Sequence, residues 1–161
     1  MKVIKEASPE TDGIKYALKT LDFTDTFSTT NHKDSLKAIT HLIFGTAPKW
    51  VSALMRFRNV LVKKIGLKTE MAKSFNKNFN PGDTIGFFKI FSIADDEVIL
   101  GADDKHLDFR VSVYNSKALK NNIKVTTLVA YNNSFGKIYM GIIKPFHVLV
   151  VKRMVKQAYR L

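Results

Sequence analysis

The sequence predicts an α+β domain in which a curved antiparallel sheet wraps around a long C-terminal helix. Segments typical of strands cluster between residues 85 and 143, two helical patterns follow one another between 35 and 65, and a very apolar helix closes the chain. The helices exclude a fold made of strands alone, and their clustering excludes repeated βαβ units. The predicted order is strand, helix, helix, five antiparallel strands and a C-terminal helix.

Composition predicts a single globular domain spanning residues 1–161. Hydrophobic residues make up 45% of the chain and aromatic residues 11%, and this length buries a core without disulfides or metals. Because cysteine is absent, disulfides and thiolate chemistry are excluded. No apolar run resembles a signal peptide or approaches the length of a membrane span, so we expect a cytoplasmic protein.

The chain is strongly basic, with 26 Lys and Arg against 14 Asp and Glu, for a net charge of +12. Such a surface attracts polyanions at long range. However, the basic residues are spread along the chain, and no zinc-finger or RNA-binding signature is present. Nucleic-acid binding is therefore not favoured over a solvated, lysine-rich surface, and the role of the charge stays open.

The first third of the chain predicts one strand and one helix after a turn-rich start. Residues 1–20 form an N-terminal extension or an extra strand. Apolar and polar residues alternate over Leu21–Ser28 apart from Asp25, which predicts the first strand. Polar N-cap candidates then precede a helix from Ser35 to Phe44.

A second helix is predicted directly after the first. Gly45 and Pro48 break the chain, and apolar residues including Trp50 and Phe57 then recur at intervals of three and four residues as far as Ile65. The two helices are therefore expected to be sharply joined and to close one end of the sheet.

The second half predicts a meander of strands followed by the terminal helix. Short turns between successive strands require antiparallel neighbours. We expect Pro145 near the first turn of the helix, because the amide that proline lacks would be unpaired there. The predicted strands are Ile85–Ile93, Glu97–Gly101, His106–Tyr114, Ile123–Tyr131 and Gly136–Ile143.

Two His-containing blocks, Leu100–Val113 and Gly136–Tyr139 followed by Lys144–His147, together with the Trp50 helix, resemble domain-of-unknown-function family 2867 (DUF2867). The element order also resembles the helix-grip fold of the START and birch-pollen-allergen-like (SRPBCC) superfamily. The resemblance covers residues 20–161. It implies a bacterial protein of a family found alone or fused behind nucleotide-binding reductase domains, and it implies a fold but no assigned reaction.

His106 and Asp108 share one face of their predicted strand, opposite the apolar row that should face the terminal helix. One interpretation is a ladder of cross-strand polar pairs. The other sets His106 at a cavity mouth, with Asp108 orienting its ring so that the imidazole serves as a general base.

His147 follows Pro145 at the start of the predicted helix. It either caps the helix or bonds to a neighbouring carbonyl, or it fixes the polar head of a ligand. His106, Asp108 and His147 lack the spacing of a metal site, so we expect no metal and no cofactor. The sequence also contains no GxSxG elbow, HExxH motif, Walker pattern or glycine-rich phosphate loop.

Aromatic residues either fill the core or line an apolar pocket between the sheet and the helix. Together with His147, the candidates for contacting a ligand are Trp50, Phe57, Phe88, Phe109, Tyr139 and Phe146.

Three functions are consistent with these features. The first is a non-catalytic binder or carrier of a hydrophobic small molecule. The second is a cyclase- or isomerase-like enzyme that uses a cavity histidine. The third is an interaction module that pairs, for example as a homodimer, through the outer face of the sheet or the basic surface.

Overall fold

A computed structural model of the protein describes residues 2–45, 78–86 and 88–161. The helices within these ranges are α1 (Asp12–Lys15), α2 (Leu36–Phe44) and α3 (Ser134–Gln157). The strands are β1 (Ile4–Glu6), β2 (Phe23–Thr29), β3 (Thr84–Ile85), β4 (Phe88–Ile93), β5 (Glu97–Asp103), β6 (Leu107–Asn115) and β7 (Ile123–Tyr131).

The strands form one curved antiparallel sheet in the order β1-β2-β7-β6-β5-β4-β3. Strands β4 to β7 follow one another as the predicted meander. The earlier strand β2 pairs with β7. The extra strand expected within residues 1–20 is β1, at the edge beside β2. The predicted α+β fold, a curved antiparallel sheet against a C-terminal helix, is confirmed, and the arrangement is helix-grip-like.

The hydrophobic core lies between one face of the sheet and the helices α2 and α3. From α2 it takes Ile39 and Ile43, and from the last turns of α3 it takes Met154 and Val155. Phe27 of β2 lies at its centre and is fully buried. The C-terminal half of α3 is therefore the part of the helix that contributes to this core.

Helix α2 confirms the prediction for residues 35–44. Ser35 caps it, because its hydroxyl accepts a hydrogen bond from the amide of Ala38 at 3.3 Å. The helix ends at Gly45. The predicted second helix, with Trp50 and Phe57, lies outside the described residues.

The strand predicted at Gly136–Ile143 is wrong, since these residues form the first turns of α3. The helix begins eleven residues before Pro145 because the side chain of Asn133 caps it, accepting from the amide of Gly136 at 3.2 Å. It continues through Pro145, although proline lacks the amide for one intrahelical hydrogen bond. A short apolar run does not distinguish a strand from a helix, and the proline suggested a boundary that does not exist.

The face of the sheet that α3 does not cover is partly covered by the N-terminal segment. Thr11, which caps α1, donates a hydrogen bond to Glu97 at 2.7 Å, and Ser112 donates to the same carboxylate oxygen at 2.5 Å. Glu97 and Ser112 are buried. The polar row predicted on this face is therefore occupied in part by contacts within the chain.

Helix α3 is long and apolar enough to cross a membrane by length and composition alone. Core helices of water-soluble proteins pass the same test, and the last turns of α3 lie in the core. The expected absence of a membrane span stays a prediction.

Candidate functional site

A buried carboxylate lies between the sheet and α3. Asp25 is the residue that interrupts the alternation of β2, and its side chain points to the same side as Phe23 and Phe27, toward the helix. Asp25 is only 5% exposed. Because an unpaired charge is costly in such surroundings, Asp25 needs a donor.

His147 of α3 supplies one donor. Its Nε2 atom lies 3.3 Å from the Oδ1 atom of Asp25. The ring of Phe23 packs edge-on against the imidazole, with 5.8 Å between ring centres. This contact fixes His147 against the sheet rather than at the start of a helix, so the predicted capping role does not apply.

The second carboxylate oxygen of Asp25 is unused by the described part of the chain. Its Oδ2 atom is buried and has no hydrogen-bond partner among the described residues. A buried acceptor without a donor costs about 1–3 kcal/mol. The site can therefore accept a hydrogen bond from a hydroxyl, an amine or an amide group.

The strand register places one polar residue and several apolar ones beside Asp25 on the same face of the sheet. Asp25 pairs across the sheet with Thr127, and the neighbouring row on the same face joins Phe23 to Val129 and Phe109. Thr127 and Val129 are buried. Asp25, Thr127 and His147 are thus a small group of polar residues within an apolar layer between the sheet and α3. We refer to them as the Asp25 cluster.

His106 lies at the other end of α3, away from Asp25. Its Nδ1 atom is 3.0 Å from the side-chain oxygen of Asn133, the residue that caps the helix. The ring of Phe135 packs beside it at 5.5 Å, and its Nε2 atom is buried without a partner among the described residues. His106 therefore fastens the first turn of α3 to the sheet.

Asp108 contacts the loop before its strand rather than His106. Its Oδ1 atom accepts hydrogen bonds from the amide of Asp104 and the side chain of Asn132, both at 3.1 Å. The structure thus does not bring His106 and Asp108 together, and His147 acquires the carboxylate partner that His106 was expected to have.

The aromatic residues that were predicted to contact a ligand differ in how deeply they are buried. Phe88 is buried, and its ring lies 5.8 Å from that of Phe109, which is half-buried. Tyr139 is half-buried in α3, whereas Phe146 is 58% exposed on the outward face of the helix. Trp50 and Phe57 lie outside the described residues.

Asp25 is the site residue that sequence reasoning missed. The signal was present, because a charged residue stood where the alternation of β2 required an apolar one. Within residues 2–45, 78–86 and 88–161, no group of three or more His, Asp or Glu side chains could hold a metal ion. The expectation of no metal stays a prediction.

The fold and the Asp25 cluster define an α+β protein whose terminal helix covers a polar cluster on an antiparallel sheet. Residues 17–154 match the family model described as "Protein of unknown function (DUF2867)". This match spans most of the chain, so the protein belongs to that family. No curated protein and no solved structure matches it.

Proposed function

We propose that the protein binds a small, largely apolar molecule between the sheet and α3, and that the Asp25 cluster holds the polar group of this molecule. The observation that carries the proposal is the Oδ2 atom of Asp25, which is buried within an apolar layer and has no hydrogen-bond partner in the described part of the chain. A ligand with one hydroxyl or N–H group would supply the donor that this oxygen lacks, while its apolar part would contact the surrounding side chains.

We also propose that the fold belongs to the helix-grip superfamily of START and birch-pollen-allergen-like proteins. A seven-stranded antiparallel sheet packed on a C-terminal helix supports this assignment. A shared fold does not define a function, so the binding proposal depends on the Asp25 cluster and not on the superfamily.

The binding proposal is tested with N-phenylnaphthylamine, a neutral fluorescent dye with one N–H donor. Wild-type protein is expected to enhance its fluorescence. Asp25→Asn should weaken binding about tenfold, because a hydrogen bond to a charged acceptor is stronger than one to a neutral amide. Phenylnaphthalene, which lacks the N–H group, should bind both proteins equally. Asp108→Asn is the matched control and should leave the dye affinity unchanged.

Two results would contradict this proposal. The first is a wild-type protein that does not bind either dye and has the bare mass of the polypeptide in a native mass spectrum. The second is an Asp25→Asn variant with wild-type affinity for N-phenylnaphthylamine, which would place the dye elsewhere.

A second candidate is an enzyme of the isomerase or cyclase type, favoured by the Asp25–His147 pair. When Asp25 accepts the hydrogen of Nε2, it orients the ring and leaves the lone pair on Nδ1, which is the arrangement of a general base. Nδ1 would take a proton from one carbon of the ligand and return it to another. In D2O, wild-type protein should then introduce deuterium into the molecule identified by native mass spectrometry, and His147→Gln should not.

A further inference from the structure

Five large apolar side chains line the outward face of α3. They recur every three or four residues and therefore lie along one side of the helix. Each of them is between 57 and 64% exposed. Monomeric proteins rarely leave so continuous an apolar surface uncovered. We call this row the apolar stripe; its members are Phe135, Ile138, Ile142, Phe146 and Leu149.

The same face becomes basic beyond Leu149. Lys152, Arg153 and Lys156 occupy its next two turns and are exposed, and Arg160 follows. Residues 134–161 contain six Lys and Arg and no Asp or Glu. The apolar stripe is therefore bordered by positive charge along its own helix.

A surface groove joins the stripe to these cations. It has a volume of about 330 Å³ between Lys2–Val3 and α3, and none of the described residues that line it is acidic. Leu149 belongs both to the groove and to the stripe. The groove is lined by Lys2, Val3, Leu149, Lys152, Arg153 and Lys156. Four cationic side chains around one groove create a positive potential that attracts anionic groups.

We propose that this face of α3 docks on the surface of an anionic phospholipid bilayer. The apolar stripe would lie at the boundary between headgroups and acyl chains, as in interfacial amphipathic helices, and the basic groove would contact lipid phosphates. Docking on the surface fits the fold better than crossing the bilayer, because Met154 and Val155 of the same helix lie in the protein core.

Charge complementarity selects this occupant over the alternatives. A second copy of the chain would bring together two molecules of net charge +12. A nucleic acid would satisfy the cations but would leave the apolar stripe in water. A bilayer that contains anionic lipid satisfies both parts of the face.

The proposal is tested by sedimentation of the full chain with two kinds of vesicle, phosphatidylcholine alone and an equal mixture of phosphatidylcholine and phosphatidylglycerol. We expect binding to the mixed vesicles, much weaker binding to phosphatidylcholine, and release from the mixed vesicles as salt is raised. The double variant Ile142→Ser/Phe146→Ser should weaken binding at least tenfold, since both side chains would otherwise enter the bilayer.

The contribution of the basic groove is tested separately with the double variant Lys152→Gln/Lys156→Gln, which should bind the mixed vesicles more weakly than wild type. Each lysine near an anionic surface contributes about fivefold to binding. Leu119→Ser is the control for the stripe, because Leu119 is 92% exposed in a loop. Lys19→Gln/Lys120→Gln is the control for the lysines, and both controls should bind vesicles as wild type does.

Specific outcomes would overturn the proposal. One is wild-type protein whose binding to vesicles does not increase when they contain phosphatidylglycerol. Another is a dimer in light scattering that Ile142→Ser/Phe146→Ser converts to a monomer, which would assign the face to a second copy. A third is a large loss of thermal stability in that variant without vesicles, which would mean that the chain itself covers the stripe. None of these results bears on dye binding at the Asp25 cluster.

Discussion

Replacing Gly136 by alanine is expected to destabilise the protein by about 3 kcal/mol. Gly136 lies in the first turn of α3, where the helix crosses the start of β6. A Cβ atom at this position would overlap the backbone carbonyl oxygen of His106 and lie 3.4 Å from the Cβ atom of Leu107. The carbonyl cannot move freely, because it also accepts a hydrogen bond from the amide of Asn132 at 2.9 Å. The helix must therefore lift from the sheet.

Gly141→Ala is the matched control, since it makes the same change five residues further along the helix. A Cβ atom at Gly141 meets nothing within 4 Å. Alanine is favoured over glycine in a helix by about 0.5–1 kcal/mol, so this variant should be slightly more stable than wild type. Thermal unfolding should place Gly136→Ala about 6–12 °C below wild type.

This pair also tests the secondary structure of the segment. If residues 136–143 formed a strand, alanine at Gly141 would gain no helix propensity. A Gly141→Ala variant that loses as much stability as Gly136→Ala would contradict the helical assignment. Equal stability of Gly136→Ala and wild type would mean that α3 does not approach His106 closely.

Most of the sheet could be predicted from the sequence because its strands alternate and are separated by short turns. β2, β6 and β7 match the predicted segments to within two residues. The alternation of apolar and polar residues with a period of two predicts the positions of these strands directly. The pairing of β2 with β7 lies outside this prediction, because nearly one hundred residues separate the two strands and no short turn joins them.

The start of the terminal helix could not be predicted by the same reasoning. The segment before Pro145 is apolar on several sides, so its period is weak, and the capping side chain, Asn133, is also a common turn residue. The exposure of the apolar stripe depends on which side of α3 faces the sheet. The orientation of α3 is set by the tertiary contacts of Met154 and Val155 with the core. Such contacts cannot be read from the local sequence.

Of the Asp25 cluster, only His147 is among the residues that the sequence suggests for a site. The sequence offers His147 either as a helix cap or as the polar group that fixes a ligand, and it pairs Asp108 with His106, so it predicts no partner for His147. Asp25 is 122 residues away from His147 and reaches it only because β2 lies beneath α3. The residue could have been found by asking why a carboxylate occupies an apolar position of a strand, since such exceptions often mark functional sites.

The second large effect is expected at Asn31, which fastens the end of α3 to the sheet. Its side-chain amide donates to the carbonyl oxygen of Ala158 at 2.6 Å and to the carboxylate of Asp34 at 2.9 Å. Its Oδ1 atom accepts from the amides of Lys33 and Asp34, both at 3.0 Å. Asn31 is 1% exposed. All of its side-chain hydrogen-bonding groups are therefore used in a place that water does not reach.

Asn31→Asp should lower the free energy of unfolding by about 3–5 kcal/mol. The change keeps the shape but removes both donors, so the oxygen of Ala158 loses its partner and a second carboxylate faces Asp34. Asn132→Asp is the matched control. The amide of Asn132 also donates to a carbonyl and a carboxylate, those of Asp104 and Asp108, but the residue is exposed. Water can replace its contacts, so we expect a loss of about 0.5 kcal/mol.

Urea denaturation of both variants measures the difference, and hydrogen exchange locates it. In Asn31→Asp the amides of the last turns of α3 should lose protection first, because the bond to Ala158 holds that end of the helix. Equal losses in Asn31→Asp and Asn132→Asp would contradict the buried contact. Since the core residues of α3 lie within these same turns, a helix released at Ala158 would also release His147 from Asp25. We therefore expect Asn31→Asp to weaken binding of N-phenylnaphthylamine although Asn31 does not contact the site.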